Sequence, residues 1–428
     1  MKDNSDPLNS DKKAMPEGII KHSGDILGAG RLTIDAIVGI TDIAEGLHHA
    51  IINFGGEIET SVDAPAPGDS NLIPRTRGIT GLLYRGIRSI NGWVGSGLDV
   101  LISRLTASID KPQTSAGRDA MVSVLNGVLG DHLKQSHNPL AITMSLHSDD
   151  KVLAPEDVSE FLRQANGRVA IFIHGLCMND RQWQRRGHNH GEALLRDLGI
   201  SPIYVRYNTG LHISENGRQL ADILHTVASQ SADDTELYII AHSMGGLIAR
   251  SACYYAELGG QRWPSQLGKF IFLGTPHHGA MLERGGNWID VVLDSNPFTS
   301  PFARLAKIRS SGITDLRYGN IIDEDWNSRD RFAMTGDQRA LQALPENVPC
   351  YAIAASTIGD SESFGDGLLG DGLVTVASAL GQHQNSTFDL GFAPENCWIA
   401  RGINHMGLLS DANVYQALLE FMSRKESE

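Results

Sequence analysis

From Ala141 onward the sequence breaks into short apolar runs: "AITMSLH", "RVAIFIHG", "SPIYVRYN", "ELYIIAHS", "KFIFLGTP", "VPCYAIAAS" and "CWIARG". Several are separated by stretches of helical character such as "ISENGRQLADILHTVAS". A short run that is apolar along its length is what a strand needs when both faces of its sheet are covered. Strands that alternate with helices predict an α/β fold with a mostly parallel central sheet, here expected over residues 141–425. A C-terminal helix is expected at "ANVYQALLEFMSR".

The region before it is different. Over residues 25–140 apolar side chains recur at steps of three and four, as in Ile37, Ile40, Ile43, Leu47, Ile51, in Leu83, Ile87, Ile90, Val94, Leu98, Leu101, Leu105, and in Met121, Val124, Val128. That spacing predicts a helical N-terminal region with buried faces. A cap, a dimerisation surface or a membrane-surface attachment would each use such faces. Residues 1–24 are polar and read as a disordered tail without the apolar run of a secretory signal. No stretch is apolar enough to span a bilayer, because Arg31, Asp35, Asp42 and Glu45 interrupt the best candidate. The four cysteines, Cys177, Cys253, Cys350 and Cys397, are scattered without CxxC pairing. They suggest neither a zinc site nor a disulfide framework, and a reducing, cytoplasmic location is expected, with membrane association compatible. The net charge of −14 argues against a nucleic-acid partner.

Within the α/β region, "YIIAHSMGGLIARSACYY" changes from strand to helix character at Ser243. A corner this tight strains the residue at its apex and tolerates only small neighbours, which Ala241 and Gly245 supply. It would hold the Ser243 hydroxyl above the sheet at a helix N-terminus, where the dipole favours negative charge. The corner therefore presents a nucleophile.

Further segments lie in a compatible order. In "FIHGLCMND" a strand ends at His174-Gly175-Leu176, and the glycine lets the Leu176 amide approach a reacting carbonyl oxygen. With the amide of Met244 it would make two oxyanion donors. In "FLGTPHHGA", His277 and His278 could serve as metal ligands or as the base, but turn-stabilising hydrogen bonds are the commoner use, and the same holds for His174, His188 and His190. In "LLGDGLVTVASALG", Asp371 lies on a glycine-flanked turn before Leu373, Val374 and Val376; Asp366 in the same tandem repeat is its rival. In "IARGINHMGLLSD" a last strand delivers His405 to a loop. Ser243, Asp371 and His405 then follow the Ser…Asp…His order of one large hydrolase fold.

These motifs, "IHGL", "AHSMGG", "LGTPHHGA", "GDGLV" and "NHMGLL", resemble the α/β-hydrolase superfamily of the bacterial lipase and esterase type. The resemblance implies Ser243 as nucleophile, His405 as general base, Asp371 as its orienting acid, and Leu176 and Met244 as oxyanion donors. It departs at Ala241, where such lipases usually carry glycine. It also departs at Met406-Gly407-Leu408-Leu409, where secreted relatives have an acidic residue that helps to hold calcium, so no metal and no cofactor is expected. The segment 281–346 is a candidate lid, with Trp288, Val292, Phe298 and Phe302 placed to line or roof an acyl pocket. The expected activity is serine carboxylic-ester hydrolysis of an apolar or lipid ester. An acyltransferase or thioesterase with the same triad, or a non-catalytic hydrolase-fold scaffold, are the alternatives. A small-molecule or lipid ester is the expected partner, and peripheral membrane contact and a homo-oligomer are both compatible with the helical region.

Overall fold

The structure is a computed structural model that describes residues 115–232, 235–280, 310–327, 329, 336–359 and 370–424. Trp288, Val292, Phe298, Phe302, Asp366 and the apolar runs before residue 115 lie outside the described residues. The chain divides into two compact units, Met1–Pro112 with Asn138–Leu140, and Gln113–His137 with Ala141–Glu428. The second carries the fold described below.

Its elements run α1 (Ser115–Gln135), β1 (Ser145–Ser148), β2 (Lys151–Leu153), α2 (Val158–Gln164), β3 (Arg168–Ile173), α3 (His190–Leu198) and β4 (Ser201–Arg206). They continue with α4 (Ile213–Ser229), β5 (Glu236–His242), α5 (Met244–Leu258), β6 (Leu267–Leu273), α6 (Ser311–Asp315), β7 (Cys350–Ser356), α7 (Val376–Ala379), β8 (Cys397–Arg401) and α8 (Ala412–Ser423). The strands form one eight-stranded sheet of order β2-β1-β4-β3-β5-β6-β7-β8. Strand β1 is antiparallel to β2 and β4, and every other pairing is parallel.

The parallel centre explains the apolar runs. Val169–Ile173 of β3, Leu237–His242 of β5 and all of β7 are buried, because helices cover both faces. On one face, α3 and α8 close over a core that includes Phe172, Trp183, Leu194, Ile240, Tyr351, Leu418 and Phe421. Their starts are capped by side chains: Asn189 accepts from the amides of Gly191 and Glu192, and Asp411 from those of Asn413 and Val414. The buried Lys269 ammonium on β6 donates to the carbonyls of Phe421, Met422 and Arg424, satisfying the C-terminal end of α8 where a positive charge is favoured.

Helix α1 belongs to this same unit. It buries Val124, Leu125, Val128, Leu129 and Leu133, and is tied down by charge: Arg206 at the end of β4 pairs with Asp180 and with Asp119 of α1, at 3.3 Å in the second case. Arg181 lies 3.5 Å from the same Asp119 carboxylate.

Candidate active site

Four loops at the C-terminal ends of the parallel strands build the site. Between β5 and α5, Ser243 has φ 55° and ψ −127°, a left-handed conformation that a side chain rarely adopts. Its amide donates to the carbonyl of Leu273 on β6 at 2.9 Å. The start of α5 is pressed against the end of β3, so that a Cβ at Gly245 would stand 2.5 Å from the Ile173 carbonyl oxygen and 2.6 Å from that of His174. Glycine at this position lets the helix seat, and the seated helix holds the serine in its strained turn.

After β7 the chain turns at Asp371, which is buried. Its Oδ1 accepts from the amides of Leu373 and Val374, each at 2.9 Å, and its Oδ2 accepts from His405 Nδ1 at 2.6 Å. The backbone joins the same two residues, since the His405 amide donates to the Asp371 carbonyl at 3.1 Å. Asn404 accepts from the Gly407 amide at 2.9 Å and closes the turn that carries His405. With Nδ1–H donating to the carboxylate, the His405 ring presents Nε2 as an acceptor.

Ser243 and His405 open on one cavity of about 40 Å³. Its walls include Leu176, Met178, Pro276, Leu316, Leu373 and Met406, and no Asp, Glu, Lys or Arg side chain lines it among the described residues. Gly175 brings the loop after β3 close: a Cβ there would stand 3.0 Å from the Ser243 Cβ. Among the described residues the amides of Leu176 and Met244 donate to no acceptor, whereas the next amide, Cys177 N, donates to Thr209 Oγ1 at 3.1 Å. Five of the residues singled out in the sequence, Ser243, His405, Asp371, Leu176 and Met244, are thus gathered at one end of the sheet.

The other histidines lie elsewhere in the hydrogen-bonding scheme. His174 is stacked on Tyr207 with 4.3 Å between ring centroids and bonds the Gly175 carbonyl through Nδ1 at 2.9 Å; burial pushes its pKa down to about 4. His277 contacts Arg250, and burial followed by that guanidinium holds its pKa well below the usual range. His278 bonds the Gly381 carbonyl, with its pKa lowered to about 4 chiefly by burial. His188 bonds His190, whose Nε2 reaches the Leu408 carbonyl at 2.9 Å. None of these lines the cavity.

One cavity-lining histidine escaped the sequence reading. His242, directly before the serine, is fully buried; its Nε2 lies 3.2 Å from the His405 carbonyl oxygen and its ring 4.7 Å from that of His405. Burial, then the neighbouring His405, holds its pKa well below the ordinary value, so it is neutral there. Its place beside the corner serine was the available signal. Met178 and Leu316 had none, because only the folded topology brings them to the cavity.

The mostly parallel sheet and the strand–serine–helix corner are those of an α/β-hydrolase fold. A family model described as "PGAP1-like alpha/beta domain" matches residues 164–346. Among solved structures the chain is similar to the mature form of Bacillus licheniformis lipase BlEst2, at 17% identity over 60% of this chain and 92% of that one, with a TM-score of 0.42. It is also similar to Aspergillus fumigatus lipase B, at 11% identity over 61% and 54% of the two chains and a TM-score of 0.38. Phospholipase PlaB from Legionella pneumophila shares 17% identity over 50% and 45%, with a TM-score of 0.34. The alignments thus span about half the length of the last two proteins. No curated protein matches the chain.

Proposed function

We propose that the protein is a serine carboxylic-ester hydrolase acting on apolar or lipid esters. The Ser243 hydroxyl attacks the ester carbonyl carbon while its proton passes to His405 Nε2. The negative charge that develops on the carbonyl oxygen is received by the amides of Leu176 and Met244, at the N-terminus of α5. Collapse of the tetrahedral intermediate breaks the bond to the alcohol, which leaves with the proton from His405, and the acyl group stays on Ser243. Water then attacks the acyl-enzyme, gives its proton to His405, and the acid departs as the proton returns to Ser243. Asp371 keeps His405 in the tautomer that this sequence requires.

The observation that carries this reading is the buried 2.6 Å His405–Asp371 pair, opening through the His405 ring on the same cavity as a serine in strained left-handed geometry. The cavity wall, mostly apolar and without an Asp, Glu, Lys or Arg side chain among the described residues, favours an uncharged acyl chain.

The test is a hydrolysis profile against p-nitrophenyl esters of increasing acyl length, with and without a lipid interface. Turnover of these esters that is lost in Ser243→Ala is the expected result. Failure to hydrolyse any ester in the series, or equal turnover by Ser243→Ala, would reject the reading.

A further inference from the structure

Helix α1 runs beside the loop that carries the Leu176 amide. Two contacts join them directly and a third runs through Asn208 and Thr209. A side chain at Gly127 of α1 would overlap Cys177 Sγ, the residue directly after Leu176, and its Cβ would stand 3.1 Å from the Cys177 Cα. Ser123 Oγ, one turn earlier on α1, accepts from Asn179 Nδ2 at 3.1 Å. The Thr209 hydroxyl that takes the Cys177 amide sits beside Asn208, whose side chain donates to the Gly130 carbonyl of α1 at 2.9 Å.

The ends of the loop are held by local bonds, the Gly175 carbonyl by His174 Nδ1 at 2.9 Å and the Asn179 amide by Gln182 Oε1 at 3.0 Å, while its middle meets α1. Cys177 has φ 59°, in the left-handed region that favours glycine, and the Met178 amide makes only a 3.4 Å bond back to the Gly175 carbonyl. A buried residue held in that region persists only where its surroundings determine it. Here the surroundings are α1 on one side and Thr209 on the other. The carbonyl of Gly127 is itself fixed, since Ser310 Oγ donates to it at 2.6 Å.

We infer that Gly127 and Ser123 are positioning residues: by seating Cys177 and Asn179 against α1, they aim the Leu176 amide at the developing oxyanion. The inference rests on the reading of Leu176 as an oxyanion donor. Neither residue touches substrate. Gly127 acts because it has no side chain, which lets Cys177 Sγ occupy the space against the helix backbone.

The experiment compares kcat and KM for p-nitrophenyl ester hydrolysis, per folded protein and below the unfolding transition, in Gly127→Ala, Ser123→Ala and the double variant Gly127→Ala with Cys177→Gly. Complete loss of one oxyanion donor costs ~10²–10³-fold in kcat, and a displaced donor less. Gly127→Ala should therefore lower kcat by ~10–100-fold with KM within about twofold, and Ser123→Ala by roughly threefold to tenfold. The double variant moves the missing side chain from the helix to the loop, where glycine suits the left-handed backbone, and should recover kcat to within a few fold. A helix that merely packs would instead lower thermal stability and leave kcat unchanged. Unchanged kcat in Gly127→Ala, or a double variant no better than the single one, overturns the inference. If Gly127→Ala does not fold, Ser123→Ala decides it, and an unaltered kcat there overturns it equally. Ser243→Ala is assayed alongside: if that variant is active, the reading of the site fails, whereas an inactive Ser243→Ala with unimpaired α1 variants defeats the positioning role alone.

Discussion

Replacing Asp371 by asparagine changes one atom and, through the hydrogen bonds around it, a proton on the neighbouring ring. Asp371 Oδ1 accepts two buried amides, from Leu373 and Val374. In Asp371→Asn the side-chain oxygen must stay on that side, because turning the NH₂ toward two N–H groups would leave both amides unsatisfied at about 1–3 kcal/mol each. The NH₂ then faces His405 Nδ1, which must accept rather than donate. The ring proton moves to Nε2, the nitrogen that has to take the Ser243 proton. The wrong tautomer in a protease triad costs ~10⁴-fold in kcat, which corresponds to about 5 kcal/mol of barrier. Folding should suffer far less, by about 1 kcal/mol, since every hydrogen bond still has a partner. Asp371→Ala removes the acceptor of both amides as well and should be the less stable of the two. The assay is kcat per folded protein on a soluble ester, with thermal unfolding in parallel. More than a tenth of the activity remaining in a folded Asp371→Asn, or a severe loss in Asp366→Asn instead, would refute the assignment of Asp371.

Gly245→Ala should lose most activity and lower Tm, because the new methyl meets the backbone oxygens of Ile173 and His174 and no rotamer relieves it; normal kcat in the purified variant would show that the corner is not held by this contact. His277→Gln and His278→Gln should retain most of kcat, since neither ring lines the cavity, and inactivity of either would move the base. The buried histidines His174 and His190 take up protons only near pH 4 when folded, against about 6.5 when unfolded, and His242 and His277 are shifted in the same direction. The unfolded chain therefore binds more protons between those values. Stability is full above about pH 6.5 and falls as the pH drops toward 4, by about 1.4 kcal/mol per pH unit for each such histidine. Urea midpoints that stay constant from pH 7 to pH 5 would contradict this.

The parts legible in the sequence are those where one constraint acts alone. Strands β3, β5 and β7 are covered on both faces, so their sequences are apolar throughout, and the corner at Ser243 shows as a change of period. Strand β2 was missed because Lys151 and Val152 are exposed and leave no burial pattern. Its signal was Asp149-Asp150, which occupy a two-residue hairpin turn with φ 49° and 61°. Helix α1 was legible from its apolar positions, but the face it turns to Cys177 and Asn179 carries Ser123 and Gly127, and Gly130 meets Asn208. Small residues mark a close approach without saying to what. The candidate His405–Asp371 pair could be named from chain order, with Asp371 preferred to Asp366 because it comes just before the apolar Leu373, Val374 and Val376.

The central claim is that Ser243 is the residue that carries the acyl group. It is tested most directly by reacting the full chain with a serine-directed fluorophosphonate and locating the adduct by peptide mass spectrometry, with ester hydrolysis followed on the same samples. The account predicts one adduct, on Ser243, formed in step with loss of hydrolysis, and neither adduct nor activity in Ser243→Ala. An adduct on another residue that tracks the loss of activity, or a Ser243→Ala protein that keeps a tenth of the turnover, would contradict it.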